Sequence, residues 1–111
     1  MEKTSALAAF GALSHEARLD IFRRLLGAHP TPMAAGDIAR DLDIPASTLS
    51  THLAILNRAK LVTAERQGRM ILYAADTEGA KDLIAYLIRD CCGGRPELCE
   101  PLLEAAQPSC C

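Results

Sequence analysis

Cys91 and Cys92 stand side by side, and Cys99 follows after Gly93-Gly94-Arg95-Pro96, a run that favours a turn. A short loop therefore brings three thiols within reach of one another. Thiolate is the softest ligand among protein side chains, so the cluster suits a soft, thiophilic ion. A second vicinal pair, Cys110-Cys111, follows Pro108 and offers further ligands. All five cysteines come after residue 90, so no disulfide among them would cross-link what precedes. Their odd number, in a chain expected in the reducing cytoplasm, favours ligands or redox sensors over structural disulfides.

The elements that must position these thiols fit one domain, since 111 residues allow a single hydrophobic core. The composition is 50% hydrophobic and 4% aromatic, which favours an Ala/Leu/Ile-rich helical core over a sandwich or barrel. No apolar run is long enough for a bilayer and no signal peptide opens the chain, so a cytoplasmic protein without membrane attachment is expected. The formal net charge of −2 hides an uneven distribution. Between residues 45 and 72, Arg58, Lys60, Arg66 and Arg69 face only Glu65, whereas acids outnumber bases from Asp76 onward. A basic middle and an acidic tail suggest that one surface meets phosphate and the other does not.

Leu7, Phe10 and Leu13 recur at threes and predict a short amphipathic helix over residues 5–13. Ser14 suits an N-cap for a second helix over 16–26, with Leu19, Phe22 and Leu26 on one face. Residues 27–32 hold a glycine and two prolines and form a loop. Ala35, Ile38, Ala39 and Leu42 then share the face of a helix within 33–42. After Asp43-Ile44-Pro45 a further helix buries Leu49, Leu53 and Leu56 and turns Ser47, Thr51, Ala54 and Arg58 outward. Two helices so tightly joined predict a helix-turn-helix whose second helix lies in the major groove of double-stranded DNA. Ser47, Thr48, Ser50 and Thr51 are short hydroxyl residues near its start, suited to phosphate or base edges.

Two β-prone runs, 61–66 and 69–73, flank Gln67-Gly68 and predict a hairpin, with Arg66 and Arg69 bracketing its tip as phosphate contacts. A last helix from about Thr77 to Cys92 carries Leu83, Ile84, Leu87 and Ile88, more apolar surface than a small core absorbs. With the first helix it predicts a homodimer interface, matching a palindromic operator. The fold class is thus mainly α with a β-hairpin wing, a homodimeric winged helix-turn-helix. Residues 1–92 form the DNA-binding and dimerisation domain and 93–111 a cysteine-containing tail.

That order of elements resembles the ArsR/SmtB family of winged-helix metalloregulators. Leu13-Ser14-His15-Glu16-Ala17-Arg18-Leu19-Asp20-Ile21-Phe22 is similar to the family's opening segment, and Ile44-Pro45-Ala46-Ser47-Thr48-Leu49-Ser50-Thr51-His52-Leu53-Ala54-Ile55-Leu56 to its recognition helix. Leu61-Val62 followed by Arg66-Gln67-Gly68-Arg69-Met70-Ile71-Leu72-Tyr73 resembles its wing. The likeness spans residues 5–90. It implies a dimeric repressor that binds operator DNA without metal and is released by its ion, and no enzyme. It also places His52 at a position that tends to face DNA, although helical phase sets this residue at the edge of the exposed face, where a structural hydrogen bond is the alternative. His15 and His29 read as capping, packing or loop residues.

Two common ion sites of the family are absent: Met33-Ala34-Ala35-Gly36-Asp37 has no Cys-x-Cys, and the last helix lacks the Asp/His zinc pattern. Cys91-Cys92 with a downstream cysteine instead resembles the arsenite-responsive branch whose thiols follow the last helix. The resemblance implies As(III), or Sb(III), as inducer on Cys91, Cys92 and Cys99, with Cys110 and Cys111 as possible extra ligands. Three-coordinate pyramidal As(III) matches three thiolates, whereas zinc prefers four ligands. The alternatives are a thiol redox or persulfide-sensing repressor of the same fold and a thiol metal carrier or buffer.

Overall fold

The computed structural model describes residues 1–90 and 95–106. Helices α1 (Lys3–Leu13) and α2 (Glu16–Ala28) lead into a two-residue strand β1 (Met33–Ala34), then α3 (Ala35–Leu42) and α4 (Ala46–Arg58). Strands β2 (Val62–Gln67) and β3 (Met70–Ala75) precede α5 (Thr77–Ala85), which continues as a π-helical segment, Tyr86–Asp90, and α6 (Pro96–Ala106) follows. This is the mainly helical winged helix-turn-helix that the sequence pattern predicts. Among the described residues no helix is long and apolar enough to cross a membrane.

The core lies where α2, α3 and α4 meet the base of the hairpin. Ile21, Leu25, Ile38, Leu49, Leu53, Leu56, Leu61 and Val62 are its largest fully buried side chains, each contributing about 1.5–3 kcal/mol of burial free energy. The sheet is antiparallel in the order β1-β3-β2, with Met33 opposite Tyr73 and Val62 opposite Ala75. β1 falls where the periodicity predicts the opening of a helix; a strand of two residues carries no alternation to read, and only its pairing to β3 defines it.

The first two helices correct the predicted faces. α1 buries Ala6, Ala9 and Ala12 and leaves Leu7 63% and Phe10 37% exposed. Three alanines at threes let α1 approach its neighbours closely, while Leu7 and Phe10 fall outside and Leu13 packs against the core. On α2 the buried set is Ile21, Phe22 and Leu25, while Leu19 and Leu26 face outward. The α2 N-cap is His15, not Ser14, and its Nδ1 accepts the Ala17 N–H at 3.2 Å. α6 lies within the predicted tail. Pro96, its first residue, needs no N–H there, and Pro101 sits inside it.

Gly79 is the tightest point of the scaffold. A Cβ at this position would stand 1.7 Å from the Lys60 carbonyl oxygen, so glycine is what lets α5 rest on the turn after α4. Asp76 caps α5 by accepting the Gly79 N–H at 3.0 Å, and its own N–H donates to the Leu61 carbonyl at 2.9 Å.

Candidate nucleic-acid interface and thiol segment

The recognition helix α4 is fixed from behind by Leu49, Leu53 and Leu56, all buried. The preceding turn forms because Asp43 takes a left-handed conformation, φ 53°, and the Ile44 N–H returns to the Ala39 carbonyl at 3.0 Å, closing the end of α3. Ser47, Thr48, Ser50, Thr51 and Arg58 are all exposed, on the side away from the core. The Thr51 hydroxyl donates to the Ser47 carbonyl at 3.3 Å. Its proton is thereby engaged, which leaves lone pairs to accept from a base amino group and a methyl to meet a thymine methyl. Arg58, in the last turn, also complements the helix dipole.

The wing projects on the same molecule as a six-by-six ladder closing at Gln67 opposite Met70. Gly68 has φ 63° and Arg69 is not in the left-handed region, the pattern of a two-residue turn with glycine first. Arg66 and Arg69 are both exposed at this tip. A cleft of about 380 Å³ separates wing from helix-turn-helix, lined by Gly36, Ser50, Arg69 and Tyr73 among others. Ser50 and Arg69 thus face one space from two elements. Asn57, which sequence reasoning missed, donates from Nδ2 to the Val62 carbonyl at 3.1 Å and ties the end of α4 to the wing's first strand. An amide-bearing residue in the last turn of a helix, shortly before a strand, is the signal that could have found it.

His52 is 8% exposed and points inward, which gives its ring to structural contacts. Its centroid lies 4.7 Å from that of His15, and Arg18 Nη1 lies 3.5 Å from its Nδ1. Arg18 also donates from Nε to the Ala12 carbonyl at 2.6 Å, tying α1 to α2. Burial, then the neighbouring His15 and Arg18, hold the His52 pKa below the usual histidine value. Arg18 was not singled out as functional in the sequence; its place three residues after His15 on α2 was the available signal.

Cys99 is the fourth residue of α6, which lies against the π-helical segment Tyr86–Asp90 that continues α5. Cys91, Cys92, Cys110, Cys111 and the Cys99 side chain fall outside the described residues. Among the described residues no group of three His, Cys, Asp or Glu side chains is assembled as a metal site. The chemistry of the thiol set therefore rests on its residue types and spacing.

Comparison with known proteins agrees with this geometry. Residues 13–65 match a helix-turn-helix domain family. The chain is 34% identical over 79 residues to the transcriptional repressor SdpR of Bacillus subtilis (strain 168), covering 71% of this chain and 84% of SdpR. It is 33% identical over 94 residues to the transcriptional activator HlyU of Vibrio cholerae, 83% of this chain and 84% of HlyU. The solved structure of HlyU from Vibrio cholerae N16961 superposes with a TM-score of 0.64 at 31% identity, over 83% of this chain and 99% of that one. The fold is also that of the homodimeric winged helix-turn-helix DNA-binding domain of Mb0332 from Mycobacterium bovis, a possible ArsR-family regulator, with a TM-score of 0.64, 23% identity and 77% of each chain covered. These relatives are named as transcriptional regulators and not as enzymes. The chain belongs to the ArsR/SmtB family of winged helix-turn-helix transcriptional regulators, which bind DNA.

Proposed function

We propose that this regulator is a homodimeric repressor that leaves its operator when As(III), or Sb(III), is bound by Cys91, Cys92 and Cys99. The observation that carries the proposal is the spacing of three thiols, Cys91 and Cys92 directly after Asp90 in the sequence and Cys99 within α6. Soft trivalent ions that form three-coordinate thiolate pyramids match this donor set. Cys110 and Cys111 supply a spare pair.

Dimerisation follows from apolar surface that the monomer leaves exposed. Leu7 and Phe10 on α1, Ile84 on α5 and Leu87 beyond it are all exposed, and a second copy would cover them at a two-fold interface. In the dimer, Ser47, Thr48, Ser50 and Thr51 approach the major groove while Arg58, Arg66 and Arg69 neutralise phosphates. Ion binding at the end of the dimerisation helix changes the spacing or stiffness of the two recognition helices. Such coupling is typically about 1–3 kcal/mol, and by reciprocity DNA weakens ion binding by the same factor.

The test is fluorescence anisotropy of a labelled fragment of the gene's own upstream DNA, titrated with reduced protein and then with arsenite. Release at stoichiometric arsenite is expected. Cys99→Ser is expected to bind DNA as tightly as the parent and to stay bound when arsenite is added; release of that variant by arsenite would exclude the three-thiol site. Release by oxidant, reversed by dithiothreitol, with no response to arsenite would assign the thiols to redox sensing instead.

A further inference from the structure

The contact between His15, Arg18 and His52 sits directly behind the recognition helix and serves no part of the DNA or thiol chemistry described above. We infer that these three residues form a proton-sensitive latch that holds α4 in its DNA-binding position and opens on acidification.

Both imidazoles use Nδ1 as an acceptor. His15 Nδ1 accepts the Ala17 N–H at 3.2 Å as the cap of α2, and His52 Nδ1 lies 3.5 Å from the Arg18 guanidinium nitrogen. Each ring is therefore assigned as neutral with its proton on Nε2. A proton added to His52 occupies the lone pair that makes the contact. The tie from α2 to α4 at His52 is lost by that event.

Glu16 and Asp20 line a pocket with His15, whereas no carboxylate acts on His52. The charged or titratable groups acting on His52 are His15, the N-cap of α2, and Arg18 on α2, and each disfavours its cationic form. α1 contributes the Ala12 carbonyl, which is already engaged by Arg18 Nε at 2.6 Å. Arg18 cannot lose its proton, so a protonated His52 would stand beside a permanent cation inside the fold. Separation of α4 from the start of α2 is the movement that relieves this. His52 lies on the helix that carries Ser47, Ser50 and Thr51, so the same movement shifts the residues facing DNA.

The sign of the effect separates the latch from ordinary electrostatics. Added positive charge on a DNA-binding protein raises its affinity for phosphate, whereas the latch lowers affinity as pH falls. By linkage the slope of log affinity against pH equals the number of protons that the DNA-binding conformation excludes, so it is positive and at most one, the proton of His52.

Operator affinity is measured by anisotropy from pH 8 to pH 5 at constant ionic strength, for the parent and for His15→Asn with His52→Gln. Both replacements keep an acceptor oxygen and neither titrates. The parent is expected to lose affinity on acidification, up to tenfold per pH unit for each excluded proton, and the double variant to hold or gain. Parent affinity that stays level or rises, or a variant that loses affinity as steeply as the parent, overturns the latch. Thermal unfolding without DNA gives a second readout: the parent's Tm falls more between pH 7.5 and pH 5 than the variant's, and equal falls refute the inference.

Discussion

Replacing Gly79 by alanine sets two rules of protein stability against each other. In a helix, alanine is favoured over glycine by about 1 kcal/mol, so propensity alone predicts a more stable protein. In this structure the new Cβ would stand 1.7 Å from the Lys60 carbonyl oxygen, and contacts under 3.0 Å essentially never occur, so α5 must retreat by at least 1.3 Å. Overpacking of this kind costs about 1–3 kcal/mol. The retreat also strains the Asp76 cap, where the Gly79 N–H donates at 3.0 Å, and a lost cap costs about 1 kcal/mol more. After the propensity gain is subtracted, Gly79→Ala is destabilised by about 1–3 kcal/mol. At this chain length that lowers Tm by about 4–12 °C. Calorimetry and urea unfolding at matched protein concentration measure it, because a dimer's Tm depends on concentration. A variant as stable as the parent, or more stable, would show that α5 does not rest on the Lys60 carbonyl.

Other consequences are as specific. Arg69→Gln at the wing tip reduces the slope of log affinity against log salt by about 0.9, one phosphate contact, with the same loss on every DNA sequence; an unchanged slope would remove Arg69 from the interface. Ile84→Glu places a charge on the exposed apolar face of α5, so sedimentation equilibrium should show dissociation to monomers of unchanged helical content; an intact dimer would locate the interface elsewhere. Asn57→Ala frees the wing's first strand from α4 and leaves the Val62 carbonyl without this partner, at a cost of about 1 kcal/mol. Amide exchange in β2 should quicken in that variant, and unaltered protection would refute the tie.

The sequence by itself determined the order of elements from α1 to α5, β1 apart, and the outward face of the recognition helix. Leu49, Leu53 and Leu56 recur on one face of a 3.6-residue period, and the polar or small residues between them have nowhere to go but outward. The wing was legible for a similar reason: β-prone runs flank Gly68, whose missing Cβ permits the positive φ of 63° that the turn requires. Chemistry at the thiols is also a sequence matter, since it depends on residue type and short spacing. Tertiary structure alone decided which face of α1 is buried. Periodicity selects Leu7, Phe10 and Leu13 by hydrophobicity, but close approach of helices buries Ala6, Ala9 and Ala12, with Leu13 packed beside them, and leaves Leu7 and Phe10 outside. It alone paired β1 with β3 and brought Gly79 against Lys60. It also assembled His15, Arg18 and His52 across a separation of 34 residues between arginine and histidine. A local pattern carries no information about such contacts, because the groups that meet share no helix and are placed together only by the packing of the core.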